Sequence, residues 1–198
     1  MRRYECPRCE QAIDFTESTC GSCGAELGFR PERDDFVTLD GSTPASGDLR
    51  FWHCLNAAWG CNWIVSADSG ETWCRSCQLT RGRPDTGRPD ATAAWEAAEG
   101  VKRRLVRQLL VLGLPLETPI HPICPEAQDP QPGELLEGVV FDLVHLPDSP
   151  GVTGHRPGAI TLDLREVDDT YREQVRIGLG EPQRTVLGHL RHEVGHHY

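Results

Sequence analysis

Eight of the nine cysteines lie within the first 77 residues, where they form two sets of four. The first set, Cys6, Cys9, Cys20 and Cys23, consists of two C-x2-C pairs with ten residues between them. A C-x2-C pair on a tight turn directs two sulfur atoms at one point, and two such turns supply the four ligands of a closed tetrahedral zinc site. The spacing therefore predicts a structural zinc in a zinc-ribbon module over residues 1–29.

The second set contains Cys54, Cys61, Cys74 and Cys77. Its second half is a C-x2-C pair, whereas six residues separate its first two cysteines. Four thiolates around one ion leave no position open for water or substrate, so such a site holds a fold together and does no chemistry. We predict a second structural zinc, in a module over residues 51–83.

Aromatic residues accompany the second set. His53 is an alternative ligand to Cys54, although a histidine beside a ligand is more often packed against the site. Small zinc modules have little core of their own, so aromatic residues are expected to supply it. Base stacking on exposed tryptophan is the competing interpretation. The net charge of −10 argues against it, and we expect no nucleic-acid partner. The tryptophans concerned are Trp52, Trp59, Trp63 and Trp73.

The sequence contains no pattern that predicts export or membrane insertion. Its first residues, MRRYECPRCE, reach a cysteine pair without the apolar stretch of a signal peptide. No window approaches the 18 or so consecutive apolar residues of a spanning helix. Cysteines without an export signal are typical of metal ligands rather than disulfides. We therefore expect a cytoplasmic protein with no membrane partner.

Two segments lack the pattern of a core. Residues 30–50 are polar and are predicted to link the two cysteine modules, and residues 115–137 form a proline-rich connector. Cys124, which belongs to neither set of four, lies in the connector. We interpret it as an ordinary loop cysteine, with a metal ligand or a reactive thiol as the alternatives.

A linking helix is predicted over residues 90–114, with Asp90 or Thr92 as its N-cap. Gly113 marks its end. The basic run at residues 102–104 is interpreted as a solvated helix face rather than a nucleic-acid patch. Apolar residues recur on one stripe at helical spacing. The stripe contains Trp95, Ala98, Val101, Leu105, Leu109 and Leu112.

Alternating elements are predicted after the connector. Residues 138–146 and 159–164 have the pattern of strands, and residues 165–180 that of a short helix. A final helix is predicted to begin near Glu181 and Pro182, because proline is favoured in a first turn.

That final helix carries the pattern H-E-x-x-H at His192, Glu193 and His196. Histidines four residues apart lie on one face of a helix, so both imidazoles can bind one zinc. Glu193 is then placed to act as general base on the metal-bound water, whose pKa zinc lowers to about 7. His189 lies on nearly the same face and is a candidate for supporting contacts to the metal site or substrate.

The order of these features resembles a bacterial family of zinc-ribbon proteins described as zinc-binding metallopeptidases. The matching pieces are CPRC with CGSCGAELGF, CNW followed by CRSC, WEAAEGVKRRLVRQLLVLGLPL, and TGHRPGAITLDLREVDDTYREQVRIGLGEPQRTVLGHLRHEVGHHY. The resemblance implies an α+β fold in which tandem zinc-ribbon-like β modules and a linking helix precede a partial zincin-like metallopeptidase domain over residues 138–198.

The resemblance also implies roles for particular residues. It places zinc at His192 and His196 and catalysis at Glu193. It draws attention, without a defined role, to His155 in the TGH turn and to Asp168-Asp169. Members of the family continue beyond this motif and are expected to supply the third zinc ligand downstream, so we expect this chain to be part of a longer protein. The alternative sources of a third ligand are His155, Cys124, Glu166 and a second copy of the chain.

Two functions are predicted from these features. The first is a zinc-dependent metallopeptidase that hydrolyses peptide bonds, with two structural zincs, one catalytic zinc and ribbons that dock a protein partner. Residues 159–164 would form the sheet's edge strand, which pairs with an extended peptide or protein substrate. The alternative is a non-catalytic zinc-ribbon adaptor that binds protein partners.

Overall fold

The computed structural model describes residues 2–39, 51–81, 89–117, 138–145, 154–156 and 158–198. The chain divides into two compact units, Met1–Cys77 and Gln78–Tyr198. Cys124 and most of the predicted connector lie outside the described residues, as do residues 40–50 of the predicted linker. The predicted domain boundaries stay predictions.

Short antiparallel strand pairs build the first unit. Each pair is closed by a local turn or loop, which suits small modules whose sheets are held by a bound ion rather than by length. The pairs are β1 (Tyr4–Glu5) with β2 (Ala12–Ile13), β3 (Leu27–Arg30) with β4 (Asp35–Thr38), and β5 (Phe51–His53) with β6 (Ile64–Ser66).

An aromatic cluster forms the core of this unit. Phe29 lies at its centre, with ring centroids 4.9 Å from Phe15 and 5.2 Å from Trp63. Tyr4 and Phe36 complete it, 5.8 Å and 5.3 Å from the Phe29 ring. Edge-on aromatic contacts of this kind add stability beyond the area they bury.

The four tryptophans expected in the core differ in burial. Trp63 is fully buried, Trp59 and Trp73 are half-buried, and Trp52 is 53% exposed. Trp63 therefore supplies the core of the second module, and Trp52 does not.

Gly28 in β3 provides a test of this packing. A Cβ at this position would lie 2.4 Å from Cγ2 of Ile64, whereas one at Gly21 would meet nothing within 4 Å. Overpacking of this kind costs about 1–3 kcal/mol. We expect Gly28→Ala to lower the urea midpoint of the first unit and Gly21→Ala to leave it nearly unchanged. Equal midpoints for the two variants would contradict the packing.

The chain forms a short helix, α1 (Arg75–Gln78), before α2 (Pro89–Val111), which is the longest element of the second unit. It begins at Pro89, which suits a first helical position because its missing N–H needs no partner there. Asp90 and Thr92 therefore lie inside the first turn, and the prediction that either caps the helix is wrong. At the other end, Gly113 has φ of 69° and its N–H donates to the Leu110 carbonyl at 3.0 Å. This is a left-handed C-terminal cap.

The predicted stripe on α2 is mostly buried. Trp95, Ala98, Leu105 and Leu109 lie in the core, Val101 is half-buried, and Leu112 lies beyond the helix end and is 70% exposed. The prediction that the basic run forms a solvated face is wrong, because Lys102 and Arg103 are buried. The charge of Lys102 is compensated by Glu99 on the same helix, whose Oε1 lies 3.0 Å from its Nζ.

A three-stranded sheet packs in the same unit, in the order β7-β9-β8. β7 and β9 are parallel, and β8 and β9 are antiparallel. The residues 79–81 pair with the other side of β7 through Phe141, whose N–H donates to the Leu79 carbonyl at 2.7 Å. The strands are β7 (Val140–Val144), β8 (Gly154–Arg156) and β9 (Ala159–Asp163).

This order corrects the predicted edge strand. β9 has neighbours on both sides, so it is the central strand and cannot pair with a substrate. The open edge among the described strands is β8, which includes His155 and was interpreted from sequence as a turn.

The final helices follow a short 3-10 helix at Leu164–Val167. They are α3 (Asp169–Leu179) and α4 (Val186–Gly195). The predicted start of the last helix near Pro182 is wrong, because Thr185 is its N-cap and accepts from the Gly188 N–H at 3.0 Å. The Thr185 hydroxyl satisfies a backbone N–H of the first turn, and a proline side chain has no acceptor with which to do so.

The mixed helix and strand architecture with two four-cysteine clusters confirms the predicted fold class. Among the described helices, none is both long enough and apolar enough to cross a membrane.

Candidate metal centres

The first cysteine set forms a cluster built on two turns. Sγ of Cys6 lies 3.7 Å from Sγ of Cys23, and Sγ of Cys9 lies 3.7 Å from Sγ of Cys20. All four sulfurs lie within 4.8 Å of one another. Sulfurs about 2.3 Å from a central zinc would be about 3.8 Å apart in a tetrahedron, so the spacing fits the ion.

Local hydrogen bonds shape both turns of this cluster. The N–H of Glu10 donates to the Cys6 carbonyl, and the N–H of Gly24 to the Cys20 carbonyl, both at 2.9 Å. Glu10 and Gly24 have φ of 61° and 70°, so each turn ends in the left-handed region. The sequence supplies glycine at only one of these two equivalent positions.

The second set is more deeply enclosed, with all four cysteines buried. Sγ of Cys61 lies 3.7 Å from the sulfurs of both Cys74 and Cys77. Sγ of Cys54 accepts from the Cys74 N–H at 3.3 Å. The 3-10 helix at Leu55–Trp59 spans the wide gap between the first two cysteines and allows them to meet.

His53 does not join this cluster. Its Nε2 lies 2.9 Å from Oε1 of Glu26, and Cys54 holds the fourth position.

Thiol acidity within the clusters also fits a bound cation. Hydrogen bonds from the backbone N–H groups of Cys23 and Ser22 lower the pKa of Cys20 to about 7. A hydrogen bond from Cys61 lowers the pKa of Cys54, whereas burial raises the pKa of Cys74. A bound dication would favour the ionised form of all four ligands, because cysteines bind zinc as thiolates.

A different pair of ligands projects from α4. Nε2 of His192 and Nε2 of His196 are 3.2 Å apart, and the two rings are perpendicular with centroids 4.7 Å apart. Two nitrogens each about 2.0–2.1 Å from one zinc would be about 3.3 Å apart, so the pair fits a shared ion. Both histidines are exposed and Glu193 is half-buried, while Leu190 and Val194 face the core.

Comparison with known proteins assigns the chain to a family. Residues 91–198 match the family described as "Putative zinc-binding metallo-peptidase", and residues 3–88 match a zinc-ribbon domain. The chain belongs to this metallopeptidase family. The described residues of its second unit thus form part of a metallopeptidase domain.

Its relatives include uncharacterized proteins from Mycobacterium bovis and from two strains of Mycobacterium tuberculosis. Each is 40% identical over 198 residues, which cover 100% of this chain and 53% of the relative. The chain therefore spans about half the length of the curated relatives it matches. No solved structure matches the chain.

A third ligand for the histidine pair is not provided by the described part of the metallopeptidase domain. No third His, Cys, Asp or Glu atom within it lies within 4.8 Å of both histidines. Glu166 contacts Arg184 and His189 instead. Cys124 lies outside the described residues, and the side chain of His155 does too.

The remaining candidate residues contribute to helix geometry. Asp168 is the N-cap of α3 and accepts from the Tyr171 N–H at 2.7 Å, and Asp169 pairs with Arg172. His189 contacts Glu166 through its Nδ1 at 2.6 Å. The pair of Glu166 with Arg184 could not be predicted from the sequence, because the two residues are 18 positions apart and no local pattern links them.

Proposed function

We propose that this chain carries part of the active site of a zinc-dependent metallopeptidase, and that the two cysteine clusters hold structural zinc. The observation that carries the proposal is the 3.2 Å separation of the Nε2 atoms of His192 and His196, in a chain of this family. In this proposal the ribbons stabilise the fold or dock a protein partner, and the expected cytoplasmic location stays a prediction.

Zinc held by this pair would polarise a peptide carbonyl and lower the pKa of water to about 7. Glu193 follows His192 directly and is half-buried. In that position its carboxylate accepts a proton from water and returns it to the leaving amine. Leu190 and Val194 anchor the opposite face of the helix in the core, which holds both histidines and Glu193 toward solvent.

The sheet offers one place for an extended substrate. The segment 79–81 covers β7, and β9 is central, so β8 is the open edge among the described strands. An extended peptide can add to such an edge through backbone hydrogen bonds. α4 packs against both β8 and β9, so a peptide on this edge would lie on the strand next to the histidine pair. The third zinc ligand is proposed to come from outside the described residues.

Glu193→Gln in the complete protein tests this proposal. We expect zinc binding at His192 and His196 to be retained, while cleavage of a quenched-fluorescence peptide library falls by about 100-fold or more. The exposed Glu173→Gln is the matched control and should cleave at the parental rate. Normal turnover by Glu193→Gln would exclude Glu193 as the general base.

The alternative function, a non-catalytic adaptor, is favoured by one observation. Trp52 and Leu55, three positions apart in the chain, are 53% and 58% exposed. Large exposed apolar side chains mark protein-binding surfaces when they are clustered. A complete protein that binds zinc in both clusters and cleaves no peptide would support this alternative. In both functions, the net charge of −10 argues against nucleic acid as a binding partner.

A further inference from the structure

A buried carboxylate lies beside the helix that carries the histidine pair. Glu166, in the 3-10 helix Leu164–Val167, has only 4% of its side chain exposed. Its Oε1 accepts from Nη2 of Arg184 at 3.0 Å, and its Oε2 lies 2.6 Å from Nδ1 of His189. Arg184 is itself 8% exposed, so these groups meet largely out of contact with water.

The chemistry of the partners fixes the direction of each hydrogen bond. A guanidinium only donates and an ionised carboxylate only accepts. His189 must therefore donate from Nδ1, and a neutral ring then keeps its lone pair on Nε2. The carboxylate selects one of the two tautomers of His189.

The contact of Glu166 with His189 can affect the proposed zinc site, because His189 lies on the same helix as the histidine pair. It precedes His192 by three residues and His196 by seven, so all three share one face of the helix. The helix has only ten residues, and its buried side chains are apolar. Apolar packing is non-directional, whereas a short charge-assisted hydrogen bond fixes orientation.

We propose that Glu166 is a positioning residue that holds His189 as the Nδ1–H tautomer and fixes the rotation of α4. The rotation sets the direction in which the His192 and His196 rings face before any ion binds. The importance of this direction for zinc rests on the proposed function. The tautomer and the rotation of α4 do not, because both are properties of the metal-free chain.

Glu166→Gln tests the tautomer with almost no change of shape. Glutamine has one oxygen and one NH2 where glutamate has two oxygens. Arg184 can only donate, so it takes the oxygen, and the NH2 then faces Nδ1 of His189. That nitrogen must now accept, so the proton moves to Nε2. We expect the imidazole ¹⁵N spectrum of His189, recorded without bound zinc at the histidine pair in mildly alkaline solution, to change from Nδ1–H to Nε2–H.

The same samples test the positioning role. α4 contacts α2 through Arg191, whose Nε donates to Oε1 of Gln108 at 3.0 Å. The parent is expected to show cross-relaxation between these two side chains, and Glu166→Gln is expected to weaken it, because a rotated α4 moves Arg191. His189→Asn keeps an N–H donor in place of Nδ1 and removes Nε2, so it should retain the contact of Arg191 with Gln108. Glu173→Gln, on the exposed face of α3, should change neither spectrum.

Each outcome decides the proposal. An Nε2–H tautomer in the parent overturns it, whether or not Glu166→Gln folds. A parental tautomer in a folded Glu166→Gln variant overturns it as well, and so does an unchanged contact of Arg191 with Gln108 after the tautomer switch. A loss of this contact in His189→Asn equal to that in Glu166→Gln would show that Nε2 acts directly, against a role for the carboxylate.

A zinc titration separates this inference from the proposed function. With both cysteine clusters loaded, Glu166→Gln should weaken zinc binding at His192 and His196 by about 10–100-fold, the usual effect of losing an outer partner. If the parent binds no zinc at the pair, the proposed function fails, and the tautomer and the contact of Arg191 with Gln108 still decide the role of Glu166.

Discussion

Cys74→Ser is expected to remove one zinc per chain and to unfold the module around the second cluster. Cys74 is fully buried, and its sulfur lies 3.7 Å from that of Cys61. Structural zinc contributes roughly 10–16 kcal/mol of apparent binding free energy in zinc-finger peptides, whereas whole domains are stable by about 5–15 kcal/mol. Loss of a buried ligand therefore removes enough free energy to unfold the module.

The measurement is zinc per chain by elemental analysis, combined with amide hydrogen exchange. The parent should retain both structural zincs after dialysis against a mild chelator. In Cys74→Ser, protection should fall at β5 and β6 and around Trp63, whose ring is part of the aromatic core. Amides of α2 in the second unit provide an internal reference.

Cys124→Ser is the matched control, because Cys124 is the one cysteine outside both sets. It makes the same chemical change and should leave zinc content and exchange unaltered. If Cys74→Ser kept the zinc content of the parent, the second cluster would not be a zinc site.

The cysteine clusters could be predicted because most of their geometry is local. A C-x2-C turn brings its own two sulfurs together, and only the meeting of two turns is a long-range event. The wide gap between Cys54 and Cys61 is also spanned locally, by the 3-10 helix at Leu55–Trp59. The pairing of His192 with His196 likewise follows from one helical turn.

The failures have other physical causes, and only some of them depend on a partner distant in sequence. The central position of β9 depends on β8, whose three residues are too few for an alternating pattern. Glu166 contacts Arg184 and His189, which are 18 and 23 positions away in the sequence. Two local signals compete for the start of α4, Pro182 in a first turn and Thr185 as an N-cap. The helix begins after Thr185, whose side chain satisfies a backbone N–H.

The basic run on α2 is the most instructive of these failures. The run of charges predicts a solvated face, but Lys102 is fully buried. Its Nζ lies 3.0 Å from Oε1 of Glu99 and 5.8 Å from the centroid of Phe141, and it donates to Oγ1 of Thr80. Thr80 in turn donates to Oε1 of Glu99 at 2.5 Å. The carboxylate that compensates Lys102 lies three residues away on α2, whereas Thr80 and Phe141, which also contact Lys102, are distant in sequence and belong to no local pattern.

Lys102→Met is therefore expected to destabilise the second unit by about 3–5 kcal/mol, the usual cost of removing one partner of a buried ion pair. Methionine matches the length of the lysine stem, so the change removes the charge and leaves little cavity. The carboxylate of Glu99, which is 1% exposed, would remain buried without its cation. Its Oε2 already has no hydrogen-bond partner among the described residues, so no second contact replaces the lost one.

Urea unfolding followed by far-UV circular dichroism measures this effect, because the long helices α2, α3 and α4 all belong to the second unit. The double variant Glu99→Gln with Lys102→Met removes both charges, and its amide oxygen can still accept from Thr80. It should recover most of the lost stability, because replacing both members of a buried pair is often close to neutral.

Arg176→Met provides the matched control on α3. Arg176 pairs with Glu173 at the same i,i+3 spacing as Lys102 with Glu99, but on the protein surface. Water solvates the remaining carboxylate there, so only a small loss of stability, well below that of Lys102→Met, is expected, which includes the hydrogen bond from Arg176 to the Glu181 carbonyl. A Lys102→Met variant as stable as Arg176→Met would contradict a stabilising role for the buried pair. A double variant as unstable as Lys102→Met would show that shape rather than charge at position 102 holds the helix against the sheet.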